Sequence, residues 1–533
     1  MDLCPLVFNL AAENMFKKLY NQKIMKRVVF LSLLFILLSY VSSLAQPIQN
    51  SLFIETEELK GFVIDIDSHS ALPYANIYVL NKNKGAISNE KGYFSLNITN
   101  LDKTDTLRFQ YIGYKTKNIA IGELDSSGIV YLKEDIFNLS ETFIFGNKLN
   151  AEEIVKKILK NKEANYKKTT TKNQTFIRER YTSDFDEIKL SYKKSSFAEL
   201  DRDLLDLIEE KMPKNSTSYR DFLGNLYFSE NEDDSINFKI DPIKTVSLKE
   251  KDIAELKQIK TIFENIFTNT KEKEYWKIKS GIFGQKIDMD DENDRAENDS
   301  LKENERKIKH FNRRIKYRLN YSLLDNKNDW EFLHSTGKYR YVLAGGTSVA
   351  GEEVYIIDFK PKSSGEFIGR MYISMSTFAL IRADYEYAPE KTGKDFHLLG
   401  VGYTEDEYSG SIYFEKKDST YSLKYFSKKE GSYVTFDRSI ALLKKRKRFL
   451  FDKTLNEAKV GVEVSLRSEQ SFELLVLKGK EILKKQFTDF EEKKVMEIVY
   501  VDQFDDKLWK GYSIIEPTKQ MREYKKQEVV YNK

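Results

Sequence analysis

The sequence predicts a mainly β protein with helices, of the α+β class. It is expected to have an immunoglobulin-like β-sandwich near the N-terminus, a helical junction, and a curved antiparallel sheet in the C-terminal part. Three observations carry this expectation. Between Leu59 and Leu132 brief apolar runs alternate with turn residues. From Asn150 the apolar spacing becomes helical. From Tyr339 onward strand-like runs follow one another, in a 533-residue chain with 35 Phe, 32 Tyr and only 8 Pro, a composition that suits half-buried pleated surfaces.

The expected organisation is an export signal with an upstream extension over residues 1–45 and the sandwich over 58–133. A helical and mixed junction follows over 150–335, with an acidic loop near 288–305, and an antiparallel β-rich domain over 336–533. Lys26 and Arg27 precede the apolar stretch Val28 to Tyr40, and Ser43-Leu44-Ala45 supplies small residues before Gln46, the pattern of a Sec signal peptide. Its 13 residues fall short of the roughly 20 that span a bilayer, which favours cleavage near Gln46 over a membrane anchor. The expected location is therefore the periplasm or outer membrane. The one cysteine, Cys4, lies upstream of this signal, so the exported chain would have no disulfide, thiolate metal site, cysteine nucleophile or lipid-modified cysteine.

The net charge of +4 is concentrated in the leader. Residues 1 to 45 carry Lys17, Lys18, Lys23, Lys26 and Arg27 against Asp2 and Glu13, and removing that excess of three leaves the remainder at +1. Such a chain has no global electrostatic footprint for nucleic acid.

In the sandwich the strand-like runs are Gly61 to Ile66, Ala75 to Leu80, Tyr93 to Ile98, Thr106 to Tyr111 and Gly128 to Leu132. Asn89-Glu90-Lys91-Gly92 fits a type I turn with Gly92 in the left-handed region. Three motifs follow in order: Gly61-Phe62-Val63 through Leu72-Pro73-Tyr74-Ala75-Asn76-Ile77, then Ser88-Asn89-Glu90-Lys91-Gly92-Tyr93-Phe94, then Phe109-Gln110-Tyr111-Ile112-Gly113-Tyr114. On these residues the segment resembles the carboxypeptidase-regulatory-like domain. The resemblance implies a non-catalytic β-sandwich of the kind that caps many outer-membrane and periplasmic proteins of Bacteroidetes, TonB-dependent transporters among them.

Asn150-Ala151-Glu152-Glu153 forms a capping arrangement, with Ile154, Ile158 and Leu159 at helical spacing behind it. Asn165-Tyr166 and Phe176-Ile177-Arg178-Glu179-Arg180-Tyr181 resemble the region that follows this domain in uncharacterised Bacteroidetes envelope proteins, some of which continue into a membrane barrel. A second helix is expected from Leu248, with Ser247 and Glu250 as a capping box and Ile253, Leu256, Ile259, Phe263 and Phe267 on or near one face. Asp288 to Glu305, with nine acidic residues, reads as a solvated loop.

The C-terminal runs are Arg340 to Ala344, Glu353 to Phe359, Gly369 to Met375, Phe378 to Tyr387, Leu398 to Thr404, Ser411 to Glu415, Tyr421 to Phe426 and Tyr433 to Asp437. Tyr355 to Phe359, Gly369 to Ser374 and Phe378 to Ile381 are similar to the curved half-barrel of periplasmic lipoprotein carriers of the LolA and LolB kind. That similarity implies a curved sheet wrapping a helix, with a continuous apolar face that either lines a lipid-sized cavity or simply packs a core. Strands of five or six residues, separated by Glu415-Lys416-Lys417-Asp418 and Ser427-Lys428-Lys429-Glu430, argue against a membrane-spanning barrel, which needs roughly 9 to 11 residues per strand.

Catalytic signatures are sparse. None of His69, His310, His334 and His397 has Glu three residues on, where Leu72, Arg313, Gly337 and Gly400 stand instead, so no zinc carboxypeptidase motif is present. Asp288 to Asp294 superficially resembles a calcium loop, but Asn293 replaces the turn glycine and Asp299 the bidentate glutamate. Gly345-Gly346-Thr347-Ser348 reads as a hairpin turn, and Asp384 and Glu386 share a strand face as many acidic pairs do by chance. No catalytic, cofactor-binding or metal-binding residue is assigned. The dense basic run Lys444, Lys445, Arg446, Lys447 and Arg448, flanked by Leu442-Leu443 and Phe449-Leu450-Phe451, is either a solvated loop or a contact for anionic lipid headgroups. The expected function is a non-enzymatic binding or assembly protein of the envelope, with envelope proteins or lipid as partners and peripheral contact with the membrane. An integral outer-membrane barrel and a hydrolase are the rival readings.

Overall fold

The computed structural model describes residues 58–137 save 83 and 126, 150–248 save 167, 168 and 231–235, and 261, 262, 266 and 267. It further describes 273–287 save 282, and 305–524 save 350, 450, 510, 511 and 513. The signal segment, the acidic stretch 288–304 and most of the helix expected after Leu248 lie outside the described residues. The protein is mainly β.

The N-terminal part consists of β1 (Glu58–Asp65), β2 (Asn76–Val79), β3 (Gly85–Ile87), β4 (Tyr93–Asn97), β5 (Thr106–Gln110), β6 (Lys117–Ala120) and β7 (Ile129–Leu132). They form two sheets, β4-β1-β7 and β3-β2-β5-β6. Alternation along each strand sends Val63, Ile77, Val79, Phe94, Leu96, Leu107, Phe109, Val130 and Leu132 into one buried core between the sheets. Gly92 closes the β3–β4 turn at φ +72°, and Asn89 Oδ1 accepts the backbone N–H groups of Lys91 and Tyr93. A Cβ at Gly92 would lie 2.6 Å from the Val63 carbonyl oxygen, so the position demands glycine on both conformational and steric grounds.

A helix, Ala151–Lys160, follows with the expected capping box: Glu153 N–H donates to Asn150 Oδ1, and Asn150 N–H donates to Glu153 Oε2. The chain then enters β8 (Thr171–Ser195), β9 (Asn215–Glu230) and β10 (Ile236–Leu248), separated by the helix Arg202–Lys211 between β8 and β9. Next come β11 (Glu274–Ser280), β12 (Phe283–Ile287), β13 (Glu305–Lys307) and the helix Ile308–Leu319. The remaining strands are β14 (Tyr339–Val349), β15 (Glu352–Pro361), β16 (Phe367–Ser374), β17 (Leu380–Tyr387), β18 (Asp395–Leu398), β19 (Val401–Lys417), β20 (Thr420–Arg446), β21 (Lys453–Glu481), β22 (Val495–Glu497) and β23 (Val499–Val501).

Fourteen of these strands form one sheet along the path β14-β15-β16-β17-β19-β20-β21-β8-β9-β10-β23, with β11, β12 and β18 attached to its side. The pairing is antiparallel except for β10 with β23. Among the described residues the sheet path ends at β14 on one side and at β23 on the other, with no pairing between them. No helix among them is long and apolar enough to cross a membrane.

Three expectations are corrected here. The stretch 150–335 is not only a junction, since β8, β9 and β10 continue the same sheet as the C-terminal strands. The short C-terminal runs merge: Leu398 to Glu415 falls largely in the 17-residue β19, and Tyr421 to Asp437 lies wholly in the 27-residue β20. Ser247 pairs with Arg220 inside the sheet and its hydroxyl donates to the Tyr219 carbonyl, while the capping box expected with Glu250 lies outside the described residues. Gly345 and Gly346 lie inside β14, where the register shifts and Phe137 exchanges both backbone hydrogen bonds with Gly346. A side chain at Gly345 would strike Ile136, so glycine here marks a close backbone approach and not a turn.

One face of the sheet packs the main core. Tyr355, Ile357, Phe359, Met371 and Ile373 are buried there with Ile154, Ile158, Phe311, Ile315 and Trp330. Phe332 stacks on Phe359 at 4.3 Å between ring centroids, so the apolar face expected from the carrier resemblance is covered by the chain's own helices and aromatic residues. The opposite face carries the sandwich. Asn89 Nδ2 donates to the Pro517 carbonyl at 3.1 Å, Arg382 donates to the Tyr111 hydroxyl at 2.7 Å, and Ile87 forms a bridge with Ile515.

Candidate functional site

Strands β20 and β21 remain paired from Tyr425↔Leu475 to Arg446↔Lys453, far beyond the part of the sheet that holds the main core. At about 3.3 Å per residue, the 16 steps from Glu430, which still faces the main core, to Arg446 correspond to roughly 53 Å of strand, flanked by β8 as far as Ser195↔Ala458 and by β11 from Ala441 to Arg446, so this part of the sheet is an arm. The sequence allows this because alternation persists: Val434, Phe436, Ile440 and Leu442 lie opposite Leu466, Val464, Val460 and Ala458. This apolar face is covered twice. Leu204, Leu205 and Ile208 of the helix Arg202–Lys211 pack on Leu190, Tyr192 and Val460, and Trp276 and Ile278 of β11 pack with Ile266, Phe267 and Leu442.

The basic run sits at the end of this arm, and the structure divides it. Lys444 Nζ lies 3.2 Å from Glu274 Oε2, and Arg446 donates to Glu274 Oε1 at 2.6 Å. The Glu274 side chain is almost fully buried, and Lys444 also lies 5.6 Å from the Trp276 ring centroid. These two cations therefore satisfy an internal carboxylate. Lys445 falls on the other strand face, opposite Tyr275. Lys447 and Arg448 lie past the last paired residues and are exposed.

The loop that carries them is pinned. Lys447 N–H donates to the Lys273 carbonyl at 2.9 Å, Arg448 N–H donates to Asp452 Oδ1 at 3.2 Å, and the Tyr275 hydroxyl donates to Asp452 Oδ2 at 2.6 Å. The Tyr275 bond, then the backbone bond from Arg448, hold the Asp452 carboxyl below its ordinary value, with Lys445 and Lys447 adding to the effect. Beside these cations Phe449 is fully exposed and Phe451 is 86% exposed. The tip therefore combines fixed positive charge with uncovered aromatic surface.

A second cluster went unseen in the sequence. Lys428 and Glu430, in the stretch taken for a break between strands, point from β20 into the main core. Lys428 Nζ lies 2.7 Å from Glu430 Oε1 and 3.2 Å from Asp329 Oδ1, and it sits 3.0 Å from the centroid of the Tyr321 ring. Arg318 donates to Glu430 Oε2 at 2.9 Å and also to Gln470, while the Tyr408 hydroxyl donates to Asp329 at 2.8 Å. Burial opposes ionisation of Glu430, yet Lys428 and Arg318 hold its carboxyl below the ordinary range. One turn earlier on the helix, Arg314 pairs with the buried Glu179 at 2.9 Å. The signal available in the sequence was the i, i+4 pair Arg314 and Arg318 with the i, i+2 pair Lys428 and Glu430, which place like-facing charges toward each other. The cluster clamps the helix Ile308–Leu319 to the sheet. Asp384, singled out for a possible carboxylate pair, bridges Arg382 at 2.7 Å and accepts from Ser411 at 2.6 Å.

Residues 59–144 match the family of the CarboxypepD_reg-like domain, so this part of the chain is such a domain, and the domain itself is non-catalytic. No curated protein matches the chain. Among solved structures the chain is similar to MucB in complex with MucA(peri), at 9% identity over 59% of this chain and 94% of that one, with a TM-score of 0.16. It is also similar to a membrane-associated protein of unknown function from Bacteroides fragilis NCTC 9343, at 10% identity over 78% and 97% of the two chains, with a TM-score of 0.12. At these TM-scores neither likeness carries an argument about fold or function.

Proposed function

We propose that this chain is an exported, non-enzymatic binding or assembly protein of the periplasm or outer membrane of a Bacteroidetes-type cell, which presents the tip of the β20–β21 arm to an anionic lipid surface. The observation that carries the reading is the exposed pair Lys447 and Arg448 beyond the end of the sheet, neither of them bridged to a carboxylate among the described residues. The nearby carboxylates are engaged elsewhere: Glu274 by Lys444 and Arg446, Asp452 by Tyr275 and the Arg448 backbone. Positive charge at the end of a long arm interacts with a negatively charged bilayer over about a Debye length. The regulatory-like sandwich, docked on the opposite face of the sheet, supports a binding or assembly role and not catalysis.

The test is co-sedimentation of the full exported chain with vesicles of phosphatidylcholine alone and with added phosphatidylglycerol. Binding is expected only to the anionic vesicles, reversed at about 1 M salt, where the Debye length falls to about 3 Å. Absence of binding to both, or equal binding to neutral vesicles, overturns the reading.

The rival barrel reading gains from one finding, since β8, β20 and β21 have 25, 27 and 29 residues, well above the roughly 9 to 11 that span an outer membrane. Strand length therefore no longer argues against it. A sheet path whose end strands β14 and β23 are unpaired with each other among the described residues, and the buried ion pairs within the sheet, favour the peripheral reading.

A further inference from the structure

We infer that Phe449 and Phe451 insert into the interfacial layer of the anionic membrane, with Lys447 and Arg448 among its headgroups, while Lys444 and Arg446 serve only to hold the arm together. The inference rests on the reading of the arm as a lipid-facing element and identifies the residues that enter the bilayer. Its basis is the coincidence of three features at one place.

The first is exposure. Two phenylalanines two residues apart, one fully exposed and one 86% exposed, stand out among the described residues, where the other exposed large apolar side chains reach at most 72%. The second is order. Hydrogen bonds from Lys447, Arg448 and Tyr275 tie both sides of the loop to β11 and to Asp452, so the rings project from a held backbone and are not the residues of a frayed end. A held loop loses little conformational freedom when it enters a lipid interface. The third is charge complementarity. Cationic side chains directly beside the rings suit a surface that is apolar below and anionic above, which an anionic bilayer provides. A neutral apolar partner would gain nothing from Lys447 and Arg448.

The test uses the full exported chain and Phe449→Trp, with vesicles of phosphatidylcholine and phosphatidylglycerol whose acyl chains carry bromine. The native Trp276, Trp330 and Trp509 are buried and serve as a background the bromines do not reach. Insertion predicts a blue shift and quenching of the new tryptophan on vesicle binding. It also predicts that Phe449→Ser and Phe451→Ser each weaken binding about tenfold, the effect of exposing most of one such side chain. Because both positions are exposed, neither serine variant should disturb folding, which unchanged thermal midpoints would verify. Binding to anionic vesicles without quenching, and without loss in the serine variants, overturns insertion and leaves the electrostatic reading intact. Absence of anionic binding in the unaltered chain overturns both.

Discussion

The ring of Tyr74, at the edge of the N-terminal sandwich, lies 4.1 Å from the ring of Tyr425 near the start of β20, centroid to centroid. This contact joins the regulatory-like domain to the strand that runs out to the basic tip. Around it Ile87 meets Ile515, and the Arg178 guanidinium donates to the Ile515 carbonyl at 2.8 Å, so the segment near residue 515 is held between sandwich and sheet. Replacing Tyr74 with Ala should weaken this docking by about 1–3 kcal/mol. Thermal unfolding of the full chain should then show the sandwich separating as an earlier transition, and a single unshifted transition would show that the contact contributes little.

The same interface is expected to respond to pH. Glu473, which accepts from the Tyr425 hydroxyl at 3.4 Å, has its carboxyl pushed up to about 7, chiefly by burial, with Glu90 and Asp221 adding to the rise and Arg178 opposing it. Arg178 offers limited relief because it is already engaged bidentately by Asp221, at 2.8 and 2.7 Å. A folded-state value above the ordinary 4.5 means that the folded state holds the proton more tightly than the unfolded chain. This contribution to stability is present below pH 4.5 and is lost as pH rises from there through about 7. Glu473→Gln should remove that part of the pH dependence and raise the thermal midpoint at pH 8. Parallel pH profiles for the two proteins would show that Glu473 is not the titrating group.

Glu430→Gln should be among the most damaging single changes in the main core. It leaves Lys428 with Asp329 alone and deprives Arg318 of its bridged carboxylate. Removing one member of a buried charge cluster costs about 3–5 kcal/mol. Denaturant unfolding should show a lower midpoint with an unchanged slope, and a shift below about 1 kcal/mol would mean that water satisfies the remaining charges.

Gly92→Val should lower the stability of the sandwich by about 1–3 kcal/mol, since a β-branched residue tolerates φ +72° poorly and its Cβ would crowd the Val63 carbonyl. The measurement is the thermal midpoint of the full chain against that of Gly92→Ala, which should fall between the two. Equal midpoints for all three would remove the conformational argument.

Local signals in the sequence determined local structure. Alternation between Gly61 and Leu132 marked the sandwich strands, Asn89 to Gly92 marked their turn, and Asn150 with Glu153 marked the start of a helix, because in each case the stabilising groups are neighbours along the chain. The basic run was equally plain. Only the tertiary structure decided how these pieces continue. Ser427 to Glu430 reads as a break until Asp329 and Arg318, both about a hundred residues away, supply the charges that let Lys428 and Glu430 lie buried within a strand. Glu274, more than a hundred and fifty positions before Lys444, engages Lys444 and Arg446 of the five basic residues and leaves Lys447 and Arg448 with Phe449 at the surface. A charge reads as solvated from its neighbours in sequence, whereas its burial depends on a counter-charge brought to it by the fold.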